Sequence, residues 1–264
     1  MNRIIRSIAL VAVLVIFVAD ARAADDLAKQ AQNPVANMIS LPFQNNTDFN
    51  IGPDDDTKNT LNIQPVWPFE ITDHLNLITR TIVPVITKPG GLTADGESVT
   101  GLGDTTFTAF LSPSDPAKLI WGVGPAFLLP TASDDELGAD KWGAGASVVL
   151  LTMPGNWVIG SLFSNIWSIG GSGDQDVNLF NWQYFINYNF PKGWYLASAP
   201  IIIANWEADS DNRWTIPFGG GVGKIFNIGK QPLNAQLSAY YNVEKPDSGP
   251  DWQMRFQLVF LFPK

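Results

Sequence analysis

Long stretches of this sequence alternate between apolar and polar residues, and this period of two constrains the fold more than any other feature. The last stretch, 251–262, has an apolar residue at every even position, and Gln253, Arg255 and Gln257 stand between them. Because successive side chains of a β-strand point to opposite faces, the pattern predicts strands with one apolar face and one amide-rich face.

The same reading predicts twelve strands, most of them 10 to 14 residues long. A strand in a soluble protein averages about 5 or 6 residues, whereas a tilted membrane-spanning strand needs roughly 9 to 11. We therefore expect an all-β fold, an antiparallel transmembrane β-barrel whose closure leaves no unpaired edge. The predicted strands are 39–50, 60–69, 75–86, 102–112, 119–129, 142–151, 157–169, 177–190, 194–206, 213–226, 233–243 and 251–262.

The connections between these strands alternate in length and charge. Those after even-numbered strands are short, and those after odd-numbered strands hold most of the acidic residues. Outer-membrane barrels have short periplasmic turns and longer outside loops, so we expect one acidic outer mouth that concentrates cations and repels anions. The residues we assign to this acidic mouth are Asp54, Asp55, Asp56, Asp134, Asp135, Glu136, Asp209 and Asp211.

Most tryptophans lie at or near the ends of predicted strands. Amphipathic rings at both rims form the aromatic girdles of membrane barrels, and this placement supports the same fold. The tryptophans concerned are Trp67, Trp121, Trp142, Trp157, Trp194, Trp206, Trp214 and Trp252.

The N-terminus has the pattern of a secretory signal peptide. Arg3 and Arg6 precede an apolar stretch, and Ala21-Arg22-Ala23 supplies an A-x-A cleavage site. Twelve apolar residues are too few for a membrane-spanning helix. We predict a signal peptide over 1–23, a periplasmic or plug segment over 24–38, and the barrel over 39–264.

Composition argues against several function classes. The net charge is −9 and only 16% of residues are charged, so a nucleic-acid partner is not expected. There is no cysteine, and the single histidine, His74, falls in a predicted turn. We predict no catalytic residues, no metal site and no cofactor; for Asp54–Asp56, a solvated acidic loop is favoured over a divalent-ion site.

If the polar faces point inward, a small set of charged and amide side chains enters the lumen. Arg80 and Asp104 lie on adjacent predicted strands and could form an ion pair that props the wall. The alternative is a polar constriction that selects solutes by hydrogen bonding. The candidate lumen residues are Arg80, Asp104, Arg213, Arg255, Asn181, Gln183, Gln236, Gln253 and Gln257.

Several segments in order along the chain resemble one known family. They are NIQPVWPF at 62–69, GLGDT at 101–105, WGVGPAFLLPTA at 121–132, GWYL at 193–196, ANWEA at 204–208, GGGVGKIFNIGKQP at 219–232 and the ending WQMRFQLVFLFPK. They are similar to the outer-membrane "MetA-pathway of phenol degradation" family, transporter-like β-barrels that are often mislabelled neuromedin U. The resemblance implies an outer-membrane barrel, and the family name hints at aromatic or hydrophobic solutes.

These features favour a porin-like channel for passive passage of small solutes, without covalent chemistry, in the outer membrane of a Gram-negative-type bacterium. The expected partners are outer-membrane lipid and lipopolysaccharide, the barrel-assembly machinery and a small-molecule solute. A homo-oligomer is also compatible with the sequence. The main alternative is a non-conducting structural or adhesive barrel. A membrane-embedded hydrolase and a soluble secreted β-protein are weaker alternatives.

Overall fold

The computed structural model describes residues 26–115 and 118–263. The predicted signal peptide and its cleavage site lie outside these residues. In the described part of the chain, no helix is long and apolar enough to cross a membrane. The strands are β1 Ile39–Ile51, β2 Asp56–Ile63, β3 Val66–Thr72, β4 Leu75–Lys88, β5 Val99–Leu102, β6 Thr105–Pro113, β7 Ile120–Leu129, β8 Lys141–Thr152, β9 Trp157–Gly171, β10 Asn178–Asn189, β11 Trp194–Ser198, β12 Ile201–Asn205, β13 Trp214–Ile228, β14 Gln231–Glu244 and β15 Trp252–Phe262.

These segments make twelve spanning strands, because β2–β3, β5–β6 and β11–β12 are each two halves of one strand. Consecutive spanning strands pair antiparallel, and β15 returns to pair with β1 from Ile39↔Phe262 to Phe49↔Trp252. The ring is therefore closed, and the predicted twelve-strand antiparallel barrel is confirmed.

The wall has an apolar outer face, as the alternation predicts. Along β15, Met254 and Phe256 are exposed, whereas Arg255 between them is 4% exposed and points inward. Since exposed apolar side chains on every second position would be unfavourable in water, this outer face is suited to lipid.

Three strands that the pattern predicts as continuous are interrupted in the structure. The breaks fall at Gln64–Pro65, Gly103–Asp104 and Ala199–Pro200. At two of them a proline has no N–H for the ladder, which frees neighbouring backbone groups. By contrast, β1 runs unbroken through Pro42, which pairs with Val259.

All short turns lie at one end of the barrel, here called the turn end, and the longer connections lie at the other, the loop end. This follows from an antiparallel wall in which every second connection opens at the same rim. Three loops at the loop end contain short 3-10 helices, Gly90–Leu92, Asp135–Leu137 and Ser210–Asn212.

The segment 26–38 packs inside the wall at the turn end. It begins with a short helix over 26–31. Ala28 packs with Tyr195, Val35 joins an inward apolar cluster that includes Phe110, and Met38 packs with Leu261. Residues 26–38, here called the plug segment, therefore pack against inward-facing side chains of the wall at this end.

A glycine in the wall makes room for this segment. A Cβ on Gly122 of β7 would lie 2.9 Å from a methyl of Val35 and 3.0 Å from one of Val149. In addition, the amides of Gln32 and Asn189 hydrogen-bond each other at 2.8 and 3.3 Å. The plug segment is thus held by both apolar packing and a specific polar contact.

Candidate functional site

A cavity of about 160 Å³ lies in the lumen directly against the plug segment. The plug segment forms one side of it, and residues of β1, β3, β4, β10, β11, β14 and β15, with Gln64 and Ala199 at two strand breaks, form the rest. Because the barrel wall is closed around it, this cavity is the natural place for a solute inside the molecule. Among the predicted lumen residues, those that line it are Arg80, Gln183, Gln236, Arg255 and Gln257.

Arg255 reaches into the cavity from β15 and is fixed by neutral acceptors. Its Nε donates to Asn46 Oδ1 at 3.0 Å, and its Nη1 donates to the carbonyl of Ala199 at 2.9 Å. Its Nη2 donates to Gln253 Oε1 at 3.1 Å, and the guanidinium lies 5.0 Å from the ring centre of Tyr240. The Ala199 carbonyl is available because the spanning strand is interrupted there.

Arg80 reaches the same cavity from β4 and has a simpler environment. It donates a single hydrogen bond, to the side-chain oxygen of Gln64. Gln64 is 3% exposed and stands at the break between β2 and β3. Two of the three strand interruptions therefore supply an acceptor to a lumen arginine.

Neither lumen arginine is paired with a carboxylate among the described residues. The three ion pairs there are Lys88–Glu136, Lys141–Asp176 and Lys245–Asp251, all at the loop end. No described aspartate or glutamate lines the cavity. Asp48 accepts from Gln253 at 2.7 Å and attracts Arg255 electrostatically from outside the lining. The described lining of the cavity thus has two cationic groups and no anion.

One polar atom at the cavity has no hydrogen-bond partner in the described structure. The amide oxygen of Asn187, a side chain that is 6% exposed and lines the cavity, is buried without a donor. Buried polar groups normally have a partner, so this acceptor fits a site made for a polar ligand.

Two other predicted lumen residues lie near the cavity. Gln253 bridges Asp48 and Arg255. Asn181 is two residues from Gln183 on β10 and shares its inward face by strand alternation.

Arg213 differs from the sequence expectation. It lies before the start of β13, where strand alternation no longer applies. Its Nη2 donates to the Ala208 carbonyl at 3.4 Å, and its guanidinium lies 5.6 Å from the Trp206 ring centre. These contacts place it at the rim of the loop end, and it does not line the cavity described above.

Asp104 also differs, and the ion pair with Arg80 is not formed. Its carboxylate accepts from the backbone amides of Thr131 and Ala132 at 3.2 Å and of Ala139 at 2.7 Å. The break at Gly103–Asp104 releases this residue from the strand pattern, and its side chain fastens the loop 130–140 instead.

The predicted acidic mouth residues all lie at the loop end. Some of them organise the loops. Asp134 accepts from the amide of Glu136 at 2.9 Å, and Glu136 pairs with Lys88 and accepts from the amide of Ala94 at 2.8 Å. The hydrogen bond from Lys88, with that from Ala94, holds the pKa of Glu136 below its usual value.

Asp251 shows the same behaviour at the other side of the rim. Lys245 and then Asn50 donate to its carboxylate, at 2.9 and 3.1 Å, and these contacts lower its pKa. Among the described residues, no group of three or more His, Asp or Glu side chains is arranged to hold a metal ion. The acidic loops therefore form a braced rim.

Sequence reasoning missed three contributors to the site. Ala199 acts through its carbonyl, which no side-chain pattern reveals. Asn187 follows the same alternation as Gln183 and could have been included. The apolar residues of the plug segment, such as Met38, carried no periodic signal.

Comparison with known proteins gives one informative similarity. No protein-family model matches the sequence, and no curated protein matches it. A solved outer membrane channel from Pseudomonas putida F1 is similar with a TM-score of 0.65 and 20% identity, over 85% of this chain and 95% of that one. Two similarities are weaker. The CymD monoaromatic hydrocarbon channel has a TM-score of 0.46 and 9% identity, over 86% of this chain and 88% of that one. Outer membrane phospholipase A from Escherichia coli has a TM-score of 0.45 and 13% identity, over 86% of this chain and 90% of that one. The first similarity shows that the barrel is an outer-membrane-protein fold.

Proposed function

We propose that this protein is an outer-membrane channel through which small solutes pass passively, with the plug segment controlling passage. The observation that carries the proposal is the polar cavity in the lumen. A barrel of about eight strands can fill its interior with packed side chains, whereas in this twelve-strand barrel amides and two arginines surround open space.

The position of the plug segment against the inner wall at the turn end supports control of passage. Its described contacts are apolar side chains, an amide pair with Asn189 and a long hydrogen bond from Asn37 to Glu70. These are weaker than the continuous hydrogen bonding of the wall, so the segment can leave without unfolding the barrel.

The location and the family are part of the same proposal. A signal peptide cleaved after Ala23 would deliver the chain to the periplasm, where the barrel-assembly machinery would insert it among outer-membrane lipid and lipopolysaccharide. The resemblance to the "MetA-pathway of phenol degradation" family, and the similarity to a solved outer membrane channel, support this assignment. They also support solutes with an aromatic or hydrophobic part and a non-enzymatic role.

The test is single-channel conductance of the purified, folded protein in planar bilayers. Folding is first verified by heat-modifiable migration on gels. The native chain should give small or rare current steps, and the Val35→Asp variant, which places a charge in the apolar seat of the plug segment, should give larger and longer steps. The matched control is Val35→Leu, which keeps the seat apolar and should behave as the native chain.

A second candidate function is favoured by the position of the plug segment itself. A barrel that stays closed would serve as a structural or adhesive element whose acidic loops bridge lipopolysaccharide or partners through divalent ions. Verified folded protein that is silent as native chain, as Val35→Asp and after deletion of residues 26–38 would contradict the channel and favour this alternative.

A further inference from the structure

The lumen cavity has the charge of a site for an anion. Arg80 and Arg255 both line it, and no carboxylate of the described residues does so. Buried cations are costly to hold without a counter-charge, and their attraction for an anion is stronger inside a protein than in water. Asp48 attracts Arg255 from behind Gln253, outside the lining, so the lining itself offers an anion two guanidinium groups without an ion-pair partner among the described residues.

The two arginines keep donors free for such a group. A guanidinium carries five N–H donors, and within the described part of the chain Arg80 donates one hydrogen bond, to Gln64. Arg255 is fixed by three neutral acceptors, so its orientation is set before any ligand arrives. Its planar fork matches a carboxylate in a bidentate geometry.

The rest of the cavity suits a compact apolar body. Met38 and Pro34 of the plug segment, with Phe185 and Val259 of the wall, form apolar parts of its lining. Its volume of about 160 Å³ is close to the roughly 150 Å³ of an engineered cavity that takes up benzene. A single ring, or an aliphatic chain of similar size, fits this space.

We propose that this cavity binds a small organic carboxylate, with the carboxylate between Arg80 and Arg255 and an apolar body no larger than one ring against the plug segment. The inference rests on the proposed function, because it names the solute class of that channel. An inorganic anion would use the arginines but leave the apolar lining without a contact.

The test is binding of 4-fluorobenzoate to the purified, folded barrel in a non-ionic detergent, followed by ¹⁹F NMR. Empty micelles give the baseline. Neutral 4-fluorobenzamide has the same shape without the charge, and inorganic phosphate serves as a competitor without an apolar body. The formal net charge of −9 over the full sequence opposes non-specific binding of the anion. We expect saturable binding of the benzoate, at least about tenfold weaker binding of the benzamide, and little competition by phosphate.

Variants then locate the site. Arg80→Gln should weaken benzoate binding about tenfold or more, because it removes a charge-assisted donor pair and disturbs one native hydrogen bond. Arg213→Gln makes the same chemical change at the rim and should leave binding unchanged. If Arg80→Gln fails the gel test for folding, Arg80→Lys keeps the charge without the planar fork and should still weaken binding.

The inference is overturned by equal affinity for benzoate and benzamide, by benzoate binding that ignores both Arg80 variants, or by no saturable binding to the native barrel. These outcomes are separate from failure of the channel. Benzoate binding in a barrel that never conducts would remove the channel and keep the site. Conduction without carboxylate preference would keep the channel and remove this inference.

Discussion

The loop end and the lumen cavity use charge in opposite ways. At the loop end, acidic side chains stabilise the loops. Asp104 accepts hydrogen bonds from three backbone amides, and Glu136 accepts from the Lys88 side chain and the Ala94 amide. In the cavity, Arg80 and Arg255 are held by neutral amide and carbonyl oxygens, which do not neutralise the guanidinium charge. The net charge of the loops, which can be counted from the sequence, therefore does not determine the charge that a solute meets in the cavity.

The largest expected effect concerns Arg255. Arg255→Ala removes a buried side chain, the donor to the Ala199 carbonyl and to Gln253, and one of the two donors to Asn46, which keeps the Gln44 amide. We expect a loss of about 2 to 4 kcal/mol in the free energy of unfolding. The midpoint of the heat-modifiable gel transition, or urea unfolding in detergent, measures it.

Arg80→Ala and Arg213→Ala are the comparisons for this loss. Arg80 makes one side-chain hydrogen bond, so Arg80→Ala should lower the free energy of unfolding less than Arg255→Ala does. Arg213 lies at the rim, and Arg213→Ala should change the midpoint least. An Arg255→Ala barrel as stable as the Arg213→Ala barrel would show that Arg255 does not brace the interrupted wall at Ala199.

The fold and the site differ in how much of each could be predicted from the sequence. The wall follows from alternation because every second side chain must face lipid, and the twelve strands agree with the structure. The alternation also places Gln183, Gln236 and Gln257 at the cavity.

What the alternation could not predict occurs where the strands break. At Gly103–Asp104 and Ala199–Pro200 the pairing is lost, and one break turns Asp104 towards a loop while the other offers a carbonyl to Arg255. Backbone acceptors and the path of the plug segment depend on tertiary packing, which a period of two does not encode.

The next effect tests whether Asp104 belongs to the rim and not to the lumen. Asp104→Ala frees the amides of Thr131, Ala132 and Ala139 and should make opening of the loop 130–140 easier by about 2 kcal/mol. Hydrogen exchange of these amides, or limited proteolysis in the loop, measures the change.

Asp135→Asn is the matched control, because Asp135 lies in the same loop outside this carboxylate's contacts. Benzoate binding should not respond to either substitution. A loss of benzoate binding in Asp104→Ala alone would mean that the loop end and the cavity are coupled. It would contradict the view that their charges act independently.

The smallest effect is the pH response of the loop end. The folded pKa of Glu136 is lowered, mainly by Lys88, so its contribution is fully present above the ordinary glutamate pKa of about 4.3 and is lost as the pH falls through the lower folded value. Exchange of the Ala94 amide, which donates to Glu136, should accelerate beyond its intrinsic pH trend over that acidic range. Glu136→Gln keeps an acceptor for Ala94 but cannot titrate, so the additional acceleration should disappear.

Since Arg80 and Arg255 keep their charge throughout this range, 4-fluorobenzoate binding should change only as the ligand itself is protonated. A matching break in the Ala94 and binding profiles, removed by Glu136→Gln, would show that the rim controls the cavity.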